Sequence, residues 1–292
     1  MTHTAHPIDD IQARARRAAL HASPAIAALA RAGYAAKGVV YVLVGGLALL
    51  AAAGSRLPFD APDGATTGSR GALHRLLEQP YGRIILAAVA VGLAGYALWC
   101  FVRAVLDPQR DGTDAKGLAK RVGEFARGVL HVALVVAAIG MIRGSRSGGD
   151  DGRGARDWTA WLMSFPMGQW LVGLVGLGVA GFGAYQIYRG WVAKMDDPLN
   201  LGQMGSAGRA WTVRFSRFGT AARGVVFGII GLFLVVAAYR SNPGEVKGVG
   251  EALATLERQP YGPVLLGVVA LGLISYGLFQ FILARYRRIE AA

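Results

Sequence analysis

The sequence predicts an all-α membrane protein whose six transmembrane helices form three tandem two-helix repeats, with a short amphipathic surface helix inside each repeat. Three observations predict this class. Six long apolar runs contain no Asp, Glu, Lys or Arg. One residue pattern opens three segments of the chain, and a second pattern recurs inside each segment. Hydrophobic residues make up 53% of the 292 residues and charged residues only 17%, so most side chains are suited to contact with lipid.

Each apolar run is bordered by Lys or Arg on at least one side, and a helix needs about 20 such residues to cross the hydrocarbon core. The first, third and fifth runs are short, but a basic residue precedes each: Lys37, Arg127 and Arg223. We expect these side chains to lie along the apolar zone with their charged groups in water. On this interpretation no span holds an ionisable group away from its ends. The runs are Gly38–Ser55, Ile84–Val102, Gly128–Ile142, Trp158–Tyr188, Gly224–Tyr239 and Gln259–Ala284.

The repeats are defined by two patterns. The opening pattern R-x-G-x-x-A-[KR]-G-V begins at Arg31, Arg121 and Arg217, and five matched positions at nearly constant spacing indicate internal repetition. The second pattern is Gln-Pro-Tyr-Gly around Pro80 and Pro260, and Phe-Pro-Met-Gly around Pro166. We predict an N-terminal segment at 1–30 and repeats at 31–108, 119–198 and 215–288. Their spans are predicted at about 36–55 and 81–104, 125–143 and 167–190, and 221–240 and 261–284.

A short amphipathic segment precedes each of the three prolines. In the middle repeat Trp158, Trp161, Leu162 and Phe165 recur at the spacing of one helix face. Such a helix is typical of the membrane interface, and a plain connector between spans is the alternative. We expect the proline in the first turn of the following span, where its missing N–H costs nothing. Leucines take these positions in the other repeats: Leu73, Leu76 and Leu77, and Leu253 with Leu256.

The loop charges predict the orientation. Of the 31 Lys and Arg residues, 20 lie on the side of the termini: before the first charge-free run, between the second and third runs, between the fourth and fifth, and after the sixth. The positive-inside rule therefore predicts that both termini are cytoplasmic. The net charge of +13 predicts anionic lipid headgroups as partners on that side, with another membrane protein as a further candidate. Nucleic acid is not expected, since no basic patch on a soluble surface is evident. Ser23 and Pro24 predict a helix start.

No enzymatic activity is predicted. The sequence lacks the H-E-x-x-H, G-x-S-x-G and phosphate-binding loop patterns. The five histidines do not stand at metal-ligand spacing, and Cys100 is the single cysteine, so neither a metal nor a cofactor is expected. His74 and Glu78 would place an acid beside a base on the first surface helix, but a solvated pair is the simpler interpretation.

Two sets of positions repeat across the three units and are candidates for a cavity or a helix interface. Tyr41, His131 and Phe227 stand one turn into the odd spans, and Cys100, Gln186 and Gln280 stand at one position of the even spans. A glutamine in hydrocarbon needs a hydrogen-bond partner, which another helix usually supplies. Interhelical contact is one interpretation of both sets, and the lining of a cavity is the other.

Glycine is abundant in the spans, for example at Gly224, Gly228 and Gly231. Small residues let membrane helices approach closely, so these positions predict tight packing, with hinge motion as the alternative.

These residues and patterns resemble the bacterial integral membrane family known as domain of unknown function 1206. The resemblance covers residues from about Arg31 to Arg288, and the middle repeat departs most, at Phe165-Pro166-Met167-Gly168. It implies three tandem copies of a two-span unit in a multi-pass protein of the bacterial plasma (inner) membrane. The family has no assigned activity, so the resemblance implies no catalytic residue.

The predicted function is that of a non-enzymatic structural or partner-binding membrane protein. The alternative is a small-solute transporter or channel that uses a cavity between the three repeats. A transporter predicts that His131, Gln186 and Gln280 border a water-accessible space, whereas a structural or binding role predicts that they are sealed between helices.

Overall fold

A computed structural model describes residues 23–54, 68–106, 114–144, 151–192 and 205–287. Residues 1–22 of the predicted N-terminal segment 1–30 and the predicted repeat ends at 108, 198 and 288 lie outside the described residues. Within these ranges the chain forms nine α-helices and one short 3₁₀-helix, Pro243–Glu245. The α-helices are α1 (Ser23–Ala52), α2 (Ser69–Leu77), α3 (Gly82–Leu106), α4 (Ala115–Ile142), α5 (Asp151–Met163), α6 (Gly168–Val192), α7 (Ser206–Tyr239), α8 (Val249–Glu257) and α9 (Gly262–Tyr286).

Six of these helices, α1, α3, α4, α6, α7 and α9, are long and apolar enough to cross a membrane. This confirms the predicted fold class. The odd spans begin far upstream of their charge-free runs, at Ser23, Ala115 and Ser206, and α1 begins where Ser23 and Pro24 predicted a helix start. Because the helices continue through the opening pattern, they carry charged residues well inside their length. The candidate spans Ala27–Ala52, Gly117–Ile142 and Ser206–Tyr239 therefore include the basic residues that the sequence placed at span ends.

The spans form an incomplete ring. Around the bundle they follow the order α4, α3, α1, α9, α7 and α6, each packed against the next. Every even span packs on the odd span of another repeat: α3 on α4, α6 on α7, and α9 on α1. Within a repeat the two spans pack on each other only in the first (α1 and α3) and the third (α7 and α9), as far as the described residues show.

Glycines make the contacts between repeats. A β-carbon on Gly38 would lie 3.0 Å from the carbonyl oxygen of Gly277, and one on Gly224 would lie 2.6 Å from that of Gly183. Backbones this close leave no room for side chains, which is how membrane helices gain dispersion contacts without a hydrophobic driving force. The predicted tight packing at glycine is confirmed at these positions.

The middle repeat lacks the internal contact that the other two repeats make through glycine. A β-carbon on Gly33 would lie 2.7 Å from the backbone nitrogen of Tyr96, and one on Gly219 would lie 2.6 Å from Cα of Tyr276. The matching Gly123 on α4 has nothing within 4 Å of its β-position. The same holds on the even spans, where Gly92 and Gly272 meet Ala36 and Ala222 while Gly178 on α6 meets nothing.

The exposure of neighbouring side chains also shows that the two spans of the middle repeat do not cover each other. Leu130 on α4 is 62% exposed, whereas the matching Val40 and Val226 are 5% and 3% exposed. Val175 on α6 is 52% exposed, whereas the matching Val89 is 6% exposed. We call the opening between α4 and α6 the seam, and define it by the exposed residues that occupy the positions where the paired spans of the other repeats meet: Gly123, Ala126, Leu130, Val175, Gly178 and Phe182.

The short helices α2, α5 and α8 meet one another on the side away from the described C-terminal end of α9. Arg156 of α5 donates to the carboxylate of Glu251 of α8 at 3.0 Å. Leu73 and Leu253 are fully buried beneath the spans. Trp158 and Trp161 of α5 are exposed and in edge-to-face contact, 5.3 Å apart. An amphipathic helix with exposed tryptophans fits the membrane interface.

The turn before each even span differs from the prediction. Helices α3, α6 and α9 begin at the glycine of the second pattern, so Pro80, Pro166 and Pro260 precede the helix by two residues and do not occupy its first turn. The reason is a reverse turn in which the glycine N–H bonds back to the residue before the proline, at 2.7–2.9 Å. The residue after the proline takes a positive φ of 59–66°, as a type II turn requires.

Packing requires glycine at the end of this turn. A β-carbon on Gly82 would collide with the carbonyl oxygen of Leu76, and one on Gly262 would collide with that of Glu257. The end of the surface helix therefore touches the start of the span directly, which fixes the angle between them. This accounts for both Pro and Gly in the second pattern.

Candidate functional site

The residues most suited to chemistry are the three cations at the seventh position of the opening pattern, one from each repeat. Lys37 is only 5% exposed. Its Nζ donates to the Tyr96 hydroxyl at 3.0 Å and lies 4.1 Å from the centre of that ring. The expectation that Lys37 extends to water is therefore wrong, because a tyrosine on the paired span offers both a hydrogen bond and a cation–π contact inside the bundle.

Arg223 makes the matching contact in the third repeat. Its guanidinium donates to the Tyr276 hydroxyl and lies 4.7 Å from the centre of that ring. With its amide oxygen turned toward Arg223, Gln186 of α6 accepts from Nε and Nη2 at 3.1 Å each. All three hydrogen bonds are made to neutral groups, and among the described residues Arg223 forms no ion pair with an acid.

Arg127 of the middle repeat has a different environment. The residue matching Tyr96 and Tyr276 is Phe182, which has no hydroxyl, and its helix α6 does not pack against α4. Arg127 instead donates to Glu124, one turn earlier, at 2.6 Å. Glu124 is buried and also pairs with Arg103 of α3 at 2.9 Å. The Arg127 side chain is 33% exposed, beside the seam.

We call Lys37, Arg127 and Arg223 the basic cluster. Lys37 interacts electrostatically with both arginines, so the three charges of like sign converge on one region between the repeats. Charged groups inside a membrane bundle are costly and mark binding or transport sites more often than structural ones. Of the described acids, Glu124 contacts the cluster, and it is shared with Arg103. The arrangement carries excess positive charge and suits an anion.

The predicted set Tyr41, His131 and Phe227 lies at the contacts between repeats. Each ring packs on the aromatic residue of the neighbouring even span: Tyr41 on Tyr276 at 4.7 Å, His131 on Tyr96 at 4.7 Å, and Phe227 on Phe182 at 5.6 Å. His131 Nδ1 donates to the carbonyl oxygen of Arg127 at 2.7 Å. These rings border the basic cluster and fix the tyrosines that hold it.

The second predicted set is buried. Cys100 is inaccessible and packs with Tyr34 and Tyr96. Gln186 supports Arg223 across the α6–α7 contact. Gln280 is 1% exposed, and its Oε1 has no hydrogen-bond partner within the described part of the chain. His74 of α2 and Glu78, which follows the end of α2, lie 3.3 Å apart with side chains that are 44% and 49% exposed.

The basic cluster was missed by the sequence reasoning, although its signal was present. The cation recurs at one position of the opening pattern, and its partner tyrosine recurs at one position of the even spans in the first and third repeats.

The first arginine of the opening pattern binds the end of a neighbouring helix. Arg121 donates to the carbonyls of Ala104 and Val105 at the end of α3, and Arg217 does the same for Gly190 and Trp191 of α6. These bonds satisfy carbonyls that a helix end leaves open.

Among the described residues no group of three His, Cys, Asp or Glu side chains is placed to hold a metal ion.

Comparison with known proteins agrees with this architecture. The family described as Domain of Unknown Function (DUF1206) matches three segments, 32–107, 122–193 and 218–287. The chain is also similar to the uncharacterised protein YxxB of Bacillus subtilis (strain 168), with 33% identity over 266 residues that cover 91% of this chain and 93% of the relative. No solved structure matches the chain. Three family segments that coincide with three pairs of apolar spans leave one assignment: the chain belongs to the DUF1206 family of unknown function.

Proposed function

We propose that the protein is a non-enzymatic binding protein of the bacterial plasma membrane, and that it holds a membrane-embedded partner in the seam of its middle repeat. The observation that carries the proposal is the free glycine surface of Gly123 and Gly178, which have nothing within 4 Å. The matching glycines of the other repeats are covered by a neighbouring helix.

The seam supports a binding role because its surface is built like a contact surface. It presents glycine beside Leu130, Val175 and Phe182, and in the first and third repeats the matching residues are buried. Small residues flanked by aliphatic and aromatic ones favour close association inside a bilayer. An occupant that lies within the membrane can therefore gain here the contacts that α1 and α3 give each other.

The burial of the two glutamines favours binding over transport. Gln186 is 6% and Gln280 is 1% exposed, and both side chains lie between helices. A solute pathway bounded by these groups would need them open to water. The seam, by contrast, opens sideways toward the surrounding bilayer.

The orientation proposal has its own test. Both termini are proposed to be cytoplasmic, because 20 of the 31 Lys and Arg residues lie on the side of the termini. Full-length fusions carrying green fluorescent protein at either end should fluoresce in bacterial cells, and the matching alkaline phosphatase fusions should be inactive. Active phosphatase at either end would reverse the orientation.

The seam proposal is tested with a photo-crosslinking amino acid in the full-length protein, purified in mild detergent after irradiation of native membranes. We expect a retained adduct from positions 130 and 175, which lie in the seam. Matched positions outside it are 264 and 268 on α9, where Val264 is 66% and Val268 is 50% exposed, close to the 62% of Leu130 and the 52% of Val175.

An adduct of defined mass at the seam positions, absent or heterogeneous at the α9 positions, would support binding whether the adduct is a lipid or a protein. Equal labelling by bulk lipid at all four positions would show that the seam holds no retained partner. Such a result would refute the proposed function.

A further inference from the structure

We propose that the occupant of the seam is an anionic phospholipid, whose phosphate is bound by the basic cluster and whose acyl chains lie along the seam. This inference rests on the proposed function and names the chemistry of its partner. It is carried by three observations: the unbalanced charge of the cluster, the exposure of Arg127 beside the seam, and the apolar lining of the seam.

The charge of the cluster lacks a matching anion among the described residues. Lys37 and Arg223 donate to the hydroxyls of Tyr96 and Tyr276, which are neutral acceptors. Glu124 is the described acid in contact with the cluster, and it pairs with Arg127 at 2.6 Å and with Arg103 at 2.9 Å. An additional anion would relieve the mutual repulsion of three cations in a medium that screens charge poorly.

The middle repeat leaves the cluster open on one side. In the first repeat the paired span covers the cation, and Lys37 is 5% exposed, whereas Arg223 of the third repeat is partly buried against Tyr276. In the middle repeat α6 stays apart from α4, and the Arg127 side chain is 33% exposed. Phe182, in place of tyrosine, leaves this guanidinium without a hydroxyl acceptor on α6. A phosphate arriving through the seam therefore meets Arg127 first, and guanidinium groups bind phosphate through paired N–H donors.

Two features favour a lipid over a free anion: the apolar lining of the seam and the depth of the basic cluster in the membrane. Lys37 lies 15 residues before the end of α1 at Ala52, roughly 22 Å at 1.5 Å per residue. In a hydrocarbon core ~30 Å thick, the cluster then lies roughly 8 Å below the face on the side of the termini. A headgroup that dips slightly reaches this level, while its chains run along Leu130, Val175 and Phe182, which are apolar and exposed.

The test measures lipid retention by native mass spectrometry, with thermal unfolding of the same purified full-length protein. The probes are phosphatidylglycerol and phosphatidylethanolamine with identical acyl chains, and inorganic phosphate alone. We expect about tenfold tighter retention of phosphatidylglycerol than of phosphatidylethanolamine, with an increase in the unfolding temperature, and no effect of millimolar phosphate. Arg127→Gln should lower the preference for phosphatidylglycerol to about onefold, whereas Arg209→Gln, an exposed cation on the same side, should leave it unchanged.

A second variant keeps the test informative if Arg127→Gln does not fold. Leu130→Trp fills the seam without altering charge, and it should reduce retention of phosphatidylglycerol while Val264→Trp on the outer face of α9 does not. Equal retention of both lipids, or stabilisation by inorganic phosphate alone, would overturn the proposal. If positions 130 and 175 still capture an occupant in that case, the seam remains a binding site and only the assignment of its ligand fails.

Discussion

Gly219→Ala is expected to destabilise the protein by about 1–3 kcal/mol, the usual cost of forcing an extra carbon into a packed interface. The new β-carbon would lie 2.6 Å from Cα and 2.7 Å from Cβ of Tyr276. These are main-chain and Cβ atoms, so α7 and α9 must separate to accept it. The separation would also disturb the contact between Tyr276 and Arg223. Thermal unfolding in detergent, followed by far-ultraviolet circular dichroism, measures the change.

The matched control is Gly123→Ala. Gly123 occupies the same position of the opening pattern in the middle repeat, and nothing lies within 4 Å of its β-position. Because alanine favours a helix over glycine by up to about 1 kcal/mol, this variant should be neutral or more stable. Equal destabilisation of both variants would mean that α4 and α6 pack together like the spans of the other repeats, contrary to the structure.

Glu124→Gln is expected to cost about 3 kcal/mol, the lower end of the range for removing one partner of a buried ion pair. The carboxylate is buried and joins Arg103 of α3 to Arg127 of α4. Without it, two guanidinium groups remain beside Lys37 with a neutral amide between them. The lower end applies because Arg127 is one third exposed, which lets solvent or headgroups screen part of the loss.

The matched control for Glu124 is Glu245→Gln. Glu245 pairs with Arg240 at 2.8 Å, but the arginine side chain is 62% exposed, so the loss should stay below about 1 kcal/mol. Chemical denaturation of both variants in the same detergent separates the two cases. If Glu124→Gln lowers the free energy of unfolding no more than the control does, the carboxylate does not hold α3 and α4 together.

Periodic features of the sequence predicted most of the fold. Six charge-free runs located the spans, and the recurrence of Arg31, Arg121 and Arg217 located the repeats, because both signals are local and repeated three times. The prediction that Pro80 and its equivalents lie in the first turn of the even spans was wrong, because each proline precedes its helix by two residues. A reverse turn and a helix start share the same residues there, and only the positive φ of Tyr81 separates them.

The candidate site was harder to predict because it depends on which helices meet. Lys37 was expected to reach water, since its position beside an apolar run suits a residue at the membrane boundary. Its inward direction is set by Tyr96, which is far away in sequence. The seam was equally hard to predict, because Gly123 and Gly33 occupy the same position of the opening pattern and differ only in the residues that lie near them.

The contact between α9 and α1 also bears on how the chain assembles. At the two equivalent contacts, α3 with α4 and α6 with α7, the partners are consecutive spans and enter the bilayer one after the other. Among the described spans α1 is the first in chain order and α9 the sixth, yet Gly38 and Gly277 bring them into backbone contact. The side of α1 that carries Gly38 therefore cannot meet its partner helix until α9 has been synthesised.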